Sequence, residues 1–126
     1  MTACWRRNGG TWGTTLKKAG IDGLIIIGRA DRPVFLQVVD GTATIEDASF
    51  LQGCDTLETE SGIRKRCGDA FKVSVIGPAG ENLVRFASVM SDGPAARAAG
   101  RCGLGAVMGS KNVKAIAVAG STPVEL

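Results

Sequence analysis

The sequence predicts one mixed domain of short strands and short helices, and three observations support that expectation. Strand-length runs of β-branched and apolar residues recur along the chain, from Gly23-Leu-Ile-Ile-Ile-Gly28 to Val113–Val118. Between them lies a helix with a readable start and stop, from Asp55 to Gly68. At 126 residues, with 44% hydrophobic and 21% charged residues, the chain has the size and composition of a single globular domain and not of a disordered segment.

Residues 1–13 are glycine-rich and read as irregular, and Leu16 to Gly20 reads as a short helical turn closed by glycine. The run 23–28, apolar throughout and bounded by glycines, is expected to be a buried strand. Val34–Val39 is a second strand, entered through Asp31-Arg32-Pro33. Asp40-Gly41 is a tight-turn dipeptide, so Thr42–Ile45 is expected to pair back as a hairpin. Asp55-Thr-Leu-Glu58 has capping-box spacing, with Asp as the cap, and opens a helix that runs to Arg66 or Cys67 and stops at Gly68. Phe71–Ile76 alternates and predicts a strand ending at Gly77-Pro78, after which Glu81 or Asn82 reads as a cap for the next segment. Leu83–Met90 fits a strand or a helix. Ala98–Met108 predicts a short helix broken by glycines, and Val113–Val118 a closing strand.

Composition excludes several functions. Apolar stretches such as Leu24–Ile27 are far short of the roughly 20 residues that span a bilayer. The N-terminus, Met-Thr-Ala-Cys-Trp-Arg-Arg-Asn, lacks the apolar centre of a secretory signal. The expectation is a cytoplasmic protein with no membrane partner. A net charge of +3, 5% aromatic residues and no tyrosine argue against a nucleic-acid partner. There is no histidine, which removes Ser-His and Cys-His nucleophiles and imidazole bases together. Cys4, Cys54, Cys67 and Cys102 form no C-x-x-C pair and are expected to be free, partly buried thiols. No catalytic residue is expected in this chain.

Glycine stands out: 18 of 126 residues is about twice the average share of roughly 7%. The glycines cluster at 9–13 and 100–109, as they do where backbone approaches a ligand closely. In Arg97-Ala-Ala-Gly-Arg-Cys-Gly-Leu-Gly-Ala-Val-Met-Gly-Ser-Lys111, small residues can turn successive N–H groups to a ligand while Arg97, Arg101 and Lys111 supply charge, the ingredients of a phosphate site. The spacing misses both nucleotide motifs: Gly103, Gly105 and Gly109 give G-x-G-x-x-x-G, and Ser110 separates Gly109 from Lys111. Anion binding and tight helix packing both fit this spacing. The segment Arg7-Asn8-Gly9-Gly10-Thr11-Trp12-Gly13 is a second candidate, and by itself reads first as a turn.

Taken in order, these segments resemble the N-terminal domain of the tungsten-containing aldehyde ferredoxin oxidoreductases. The matching blocks are Asn8-Gly9-Gly10-x-Trp12-Gly13, Leu16-Lys-Lys-Ala-Gly20, Asp22-Gly-Leu-Ile-Ile-Ile-Gly28, Arg32-Pro33-Val34, Ile45-Glu-Asp-Ala-Ser49 and Glu58-Thr-Glu60. Two longer blocks, Ile76–Ala87 and Arg97–Val118, are the most specific. The resemblance implies that residues 1–126 are part of an α+β N-terminal cofactor-binding domain with two β-sheets. It implies a tungsten (or molybdenum) bis-pterin whose phosphates are bridged by magnesium. By position, Gly9, Arg97, Ala98, Ala99 and Gly100 match pterin contacts. Arg7 and Ala98 match the positions whose backbone carbonyls reach the magnesium.

The chain departs from the family at three places. Arg7 stands where the family usually has Asn, Cys102 replaces a common glycine, and two extra residues sit around Pro94-Ala95-Ala96. Nothing in the chain matches the segment of strands that the family carries upstream, or its [4Fe–4S] cysteines and acid–base residues. The resemblance implies an enzyme that oxidises aldehydes to carboxylic acids and passes electrons through the [4Fe–4S] cluster to ferredoxin. This chain would contribute the cradle and need the remaining domains or a partner subunit, so no aldehyde oxidation is expected from it alone. Two alternatives are a non-catalytic remnant or split subunit, which the neighbouring reading frames would discriminate, and a stand-alone phosphate- or nucleotide-binding module, which nucleotide titration would detect.

Overall fold

Six residues of Val113–Ala119 are buried, which is how a strand flanked on both sides within a sheet must look. In the computed structural model, which describes residues 10–125, this strand lies inside a six-stranded mixed sheet. The helices are α1 (Thr11–Lys18), α2 (Thr56–Cys67), α3 (Pro78–Glu81) and α4 (Leu104–Ser110). The strands are β1 (Val34–Val39), β2 (Thr42–Asp47), β3 (Lys72–Val75), β4 (Val89–Ser91), β5 (Arg97–Ala99) and β6 (Val113–Ala119). Their order across the sheet is β2-β1-β6-β3-β4-β5. Only the β1–β6 pair is parallel; the others are antiparallel.

Local chemistry explains most of these elements. Asp40 and Gly41 both have positive φ, the geometry of a tight hairpin turn whose twist suits the strands, and Val39 sits opposite Thr42. The capping box at Asp55 is complete: Asp55 accepts from the Glu58 amide at 2.8 Å, and Glu58 accepts from the Asp55 amide at 2.9 Å. Helix α2 ends at Gly68, whose φ of 121° suits a residue without a side chain. One core, with Phe35, Ile63, Val73 and Val75, lies between the sheet and α2. A second, with Leu16, Val38, Ile116 and Val118, lies on the opposite face under α1. No helix of the described residues is long and apolar enough to cross a membrane.

The structure departs from expectation in several places. Residues 23–28 form no ladder. Leu24 and Ile26 pack on the second core, while Ile25 and Ile27 are 84% and 82% exposed. The run is therefore a half-buried segment packed on the second core and not a strand of the sheet. All strands of the described residues belong to one sheet, where two were expected. The first half of 98–108 is not helical: Arg97–Ala99 pairs with β4, and α4 starts only at Leu104. Helix α1 begins at Thr11, inside the stretch read as irregular. Leu83–Met90 resolves into turns followed by β4.

Candidate functional site

The first glycine-rich segment meets the turn between β4 and β5 at one end of the sheet. Gly10 has φ 89°, and a Cβ there would overlap Asp92 Oδ2 and lie 2.8 Å from Asp92 Cγ and 3.0 Å from Arg97 Cγ. The backbone of residue 10 thus lies directly against the Arg97 side chain, and only glycine allows it. The Asp92 carboxylate fixes the approach. It accepts from the Thr11 amide at 3.1 and 3.3 Å, and from the Thr11 hydroxyl at 2.5 Å. Gly10, Thr11, Arg64, Lys72, Asp92 and Arg97 all border one open cleft of about 340 Å³.

Arg97, Ala98 and Ala99 form β5, an outermost strand, and Gly100 follows it. Ser91 lies opposite Arg97, so the register of Arg97 is set by the sheet. The extra residues around Pro94–Ala96 are absorbed in a single 3-10 turn, Gly93–Ala95, and in a left-handed Ala96 (φ 48°). Ala99 is buried beside Ile76 and Val89, whereas Arg97, Ala98 and Gly100 are exposed. The Arg97 guanidinium has no ion-pair partner among the described residues. Gly9 and Arg7 lie outside the described residues.

The second glycine cluster divides into two parts. At Gly109 a Cβ would overlap the Gly80 carbonyl oxygen, and at Gly105 it would lie 2.7 Å from the backbone of Ala87 and Ser88. A Cβ at Gly80 would in turn lie 2.9 Å from the Gly105 carbonyl oxygen. These glycines let α3, α4 and the 85–88 loop touch backbone to backbone, and a Cβ at Gly103 would overlap the Arg85 carbonyl. Packing accounts for Gly103, Gly105 and Gly109. At Gly100, by contrast, a Cβ would find nothing nearer than Ser88 Oγ at 3.6 Å. No neighbour among the described residues requires a glycine there.

A buried ion pair holds this packing to the sheet. Lys114, on β6 with its side chain 1% exposed, donates to Glu81 at 3.0 Å and to the Cys54 carbonyl at 2.9 Å. Glu81 also accepts from the Gly53 amide at 3.1 Å. Of the two caps expected here, Glu81 is therefore a tertiary partner, while Asn82 donates to the Pro78 carbonyl at 2.8 Å. Every charge is met, as a buried lysine requires. Cys54, Cys67 and Cys102 are free thiols, and burial pushes the Cys67 thiol above its ordinary pKa, with Arg66 opposing the shift. Among the described residues no group of three or more His, Cys, Asp or Glu is placed to hold a metal ion. Sequence reading missed Asp92, Glu60 and Lys114 as partners. The tight-turn dipeptide Asp92-Gly93 is the one signal that pointed to the first.

A mixed sheet thus brings Gly10 and the Arg97–Gly100 segment together beside one cleft. The chain belongs to the family described as aldehyde ferredoxin oxidoreductase, N-terminal domain, whose model matches residues 2–120. It is 52% identical over 120 residues to the tungsten-containing aldehyde ferredoxin oxidoreductase of Pyrococcus furiosus, covering 94% of this chain and 20% of that protein. It is 49% identical to the enzyme of the same description in Thermococcus kodakarensis, with the same coverage. The fold also matches the active site complex BamBC of benzoyl coenzyme A reductase, with a TM-score of 0.87 and 38% identity over 92% of this chain and 18% of that one. The chain spans about a fifth of the length of the curated relatives it matches.

Proposed function

We propose that this domain cradles a tungsten (or molybdenum) bis-pterin in an enzyme that oxidises aldehydes to carboxylic acids. The observation that carries the reading is the contact of Gly10 with Arg97, which joins the two bends that the family resemblance assigns to the cofactor. The residues fit such a group. Arg97 offers an exposed guanidinium, without an ion-pair partner among the described residues and suited to phosphate, and Arg64 and Lys72 border the same cleft. Strand β5 lies at the edge of the sheet among the described residues and offers the backbone groups of its unpaired side, and a side chain at Gly100 would meet only ordinary contacts among those residues. By the family resemblance, Gly9 would be a further pterin contact, and the backbone carbonyls of Arg7 and Ala98 would be the ligands of a magnesium ion.

The metal–pterin supplies the redox chemistry when bound. The chain's own part is to bind, orient and neutralise: Arg97 holds anionic oxygen, and the braced bends keep the donors in place. Electrons would leave through a [4Fe–4S] cluster to ferredoxin, with the cluster ligands and acid–base residues contributed by the rest of a cytoplasmic enzyme. The name of the relatives supports tungsten, and their fivefold greater length supports a component that works only with further domains or a partner subunit.

The test is Arg97→Ala in the assembled enzyme. One charge-assisted contact is worth about 1.5–3 kcal/mol, so cofactor retention is expected to fall roughly tenfold or more. Tungsten content measured on the purified assembly reads this directly, and an unchanged metal-to-protein ratio would refute the assignment.

A further inference from the structure

Resting on that reading of the site, we infer that Asp92 is a positioning residue: with Glu60, it sets how closely the two cofactor-facing bends approach each other. Asp92 and Gly93 have φ of 62° and 47°, a left-handed turn that asparagine adopts as readily as aspartate. The turn alone gives no reason for an acid at residue 92. The reason lies 81 positions earlier in the chain, at Thr11, whose amide and hydroxyl both donate to this carboxylate. Thr11 is the first residue of α1, where backbone N–H groups lack helical partners and the helix dipole favours a negative charge. Gly10 has no side chain to keep the carboxylate out.

The other side of the turn is held as well. Glu60 accepts from the Gly93 amide at 2.8 Å. Glu60 rides on α2, which is anchored by its capping box and by Ile63 in the core. Helices α1 and α2 lie on opposite faces of the sheet. The β4–β5 turn is therefore braced from both faces by carboxylates that backbone N–H groups already engage. This also explains how two acids can border a cleft proposed to take phosphate: their charge is directed into the brace. Loss of the Asp92 contacts would leave β5 paired to β4 but free Gly10 and α1 to move away from Arg97.

The chain is titrated with inorganic pyrophosphate, a probe for paired phosphates, while amide exchange is followed at Thr11 and across β6. In Asp92→Asn, Thr11 is expected to exchange about tenfold faster and pyrophosphate affinity to fall by a similar factor, with β6 protection unchanged. Adding Thr11→Val to that variant should cause little further loss, since both changes break the same brace. Should Asp92→Asn expose β6, Thr11→Val alone is read in the same way. Faster Thr11 exchange with unaltered pyrophosphate affinity overturns the proposal, as does an unaltered exchange rate. A parent chain that takes up no pyrophosphate, or an Arg97→Ala variant that binds it as tightly as the parent, sinks the reading of the site itself. In that case Asp92 is a strut of the fold and nothing more.

Discussion

Replacing Gly109 by alanine sets two effects of opposite sign against each other. Gly109 lies inside α4, where alanine favours the helix by about 1 kcal/mol over glycine. If the residue faced solvent, Gly109→Ala would stabilise the chain. In the structure the added Cβ would overlap the Gly80 carbonyl oxygen and lie 2.7 Å from its carbon and 3.3 Å from the Glu81 amide nitrogen. Ordinary carbon–carbon contacts begin near 3.5 Å. These neighbours are backbone, which cannot rotate aside, so α3 and α4 must separate by roughly 1 Å. Glu81 would then shift from Lys114. Overpacking of this kind costs about 1–3 kcal/mol, and rigid neighbours put it near the upper end, leaving a net loss of about 2 kcal/mol. For a domain of this size that lowers Tm by roughly 6–10 °C. Gly62→Ala is the control: its nearest neighbour is Leu51 Cδ2, the free end of a flexible side chain, so the change should be near neutral. Urea and thermal unfolding of the three chains give the comparison. A Gly109→Ala chain as stable as the parent, or more stable, would refute the backbone-contact reading of the second glycine cluster.

Two further predictions concern buried polar groups. Lys114→Met should cost about 3–5 kcal/mol because Glu81 is left without its cation. Lys114→Met combined with Glu81→Gln should recover much of that loss, and a double variant no more stable than the single one in urea unfolding would count against the pair. Cys67, raised by desolvation, should react with a thiol reagent near pH 8 well after the exposed Cys102. A folded pKa above the unfolded value means that the Cys67 contribution to stability is fully present below the unfolded thiol pKa. It is lost as pH rises through the folded value, so alkaline unfolding of Cys67→Ala should show a shallower pH dependence than the parent.

Local sequence alone determined the hairpin of β1 and β2, the start and stop of α2, and the closing strand. The reason is that Asp40-Gly41, the Asp55–Glu58 box and Gly68 act through φ preference and hydrogen bonds spanning only a few residues. It also marked the two glycine-rich segments, and the family resemblance singled out Arg97–Gly100 within the second. Tertiary structure decided what each glycine is for. Gly105 and Gly109 face backbone from residues 80–88, Gly10 faces a carboxylate 82 residues away, and a Cβ at Gly100 would meet only ordinary contacts among the described residues. It decided that 23–28 stays unpaired although its residues favour a strand, because Leu24 and Ile26 pack on the second core at the face of the sheet and not along one of its edges. It decided too that Asp92, Glu60 and Lys114 matter, since each finds its partner across more than 30 positions of chain. Hydrogen bonds and steric contacts act through space, and no residue pattern along the chain carries them.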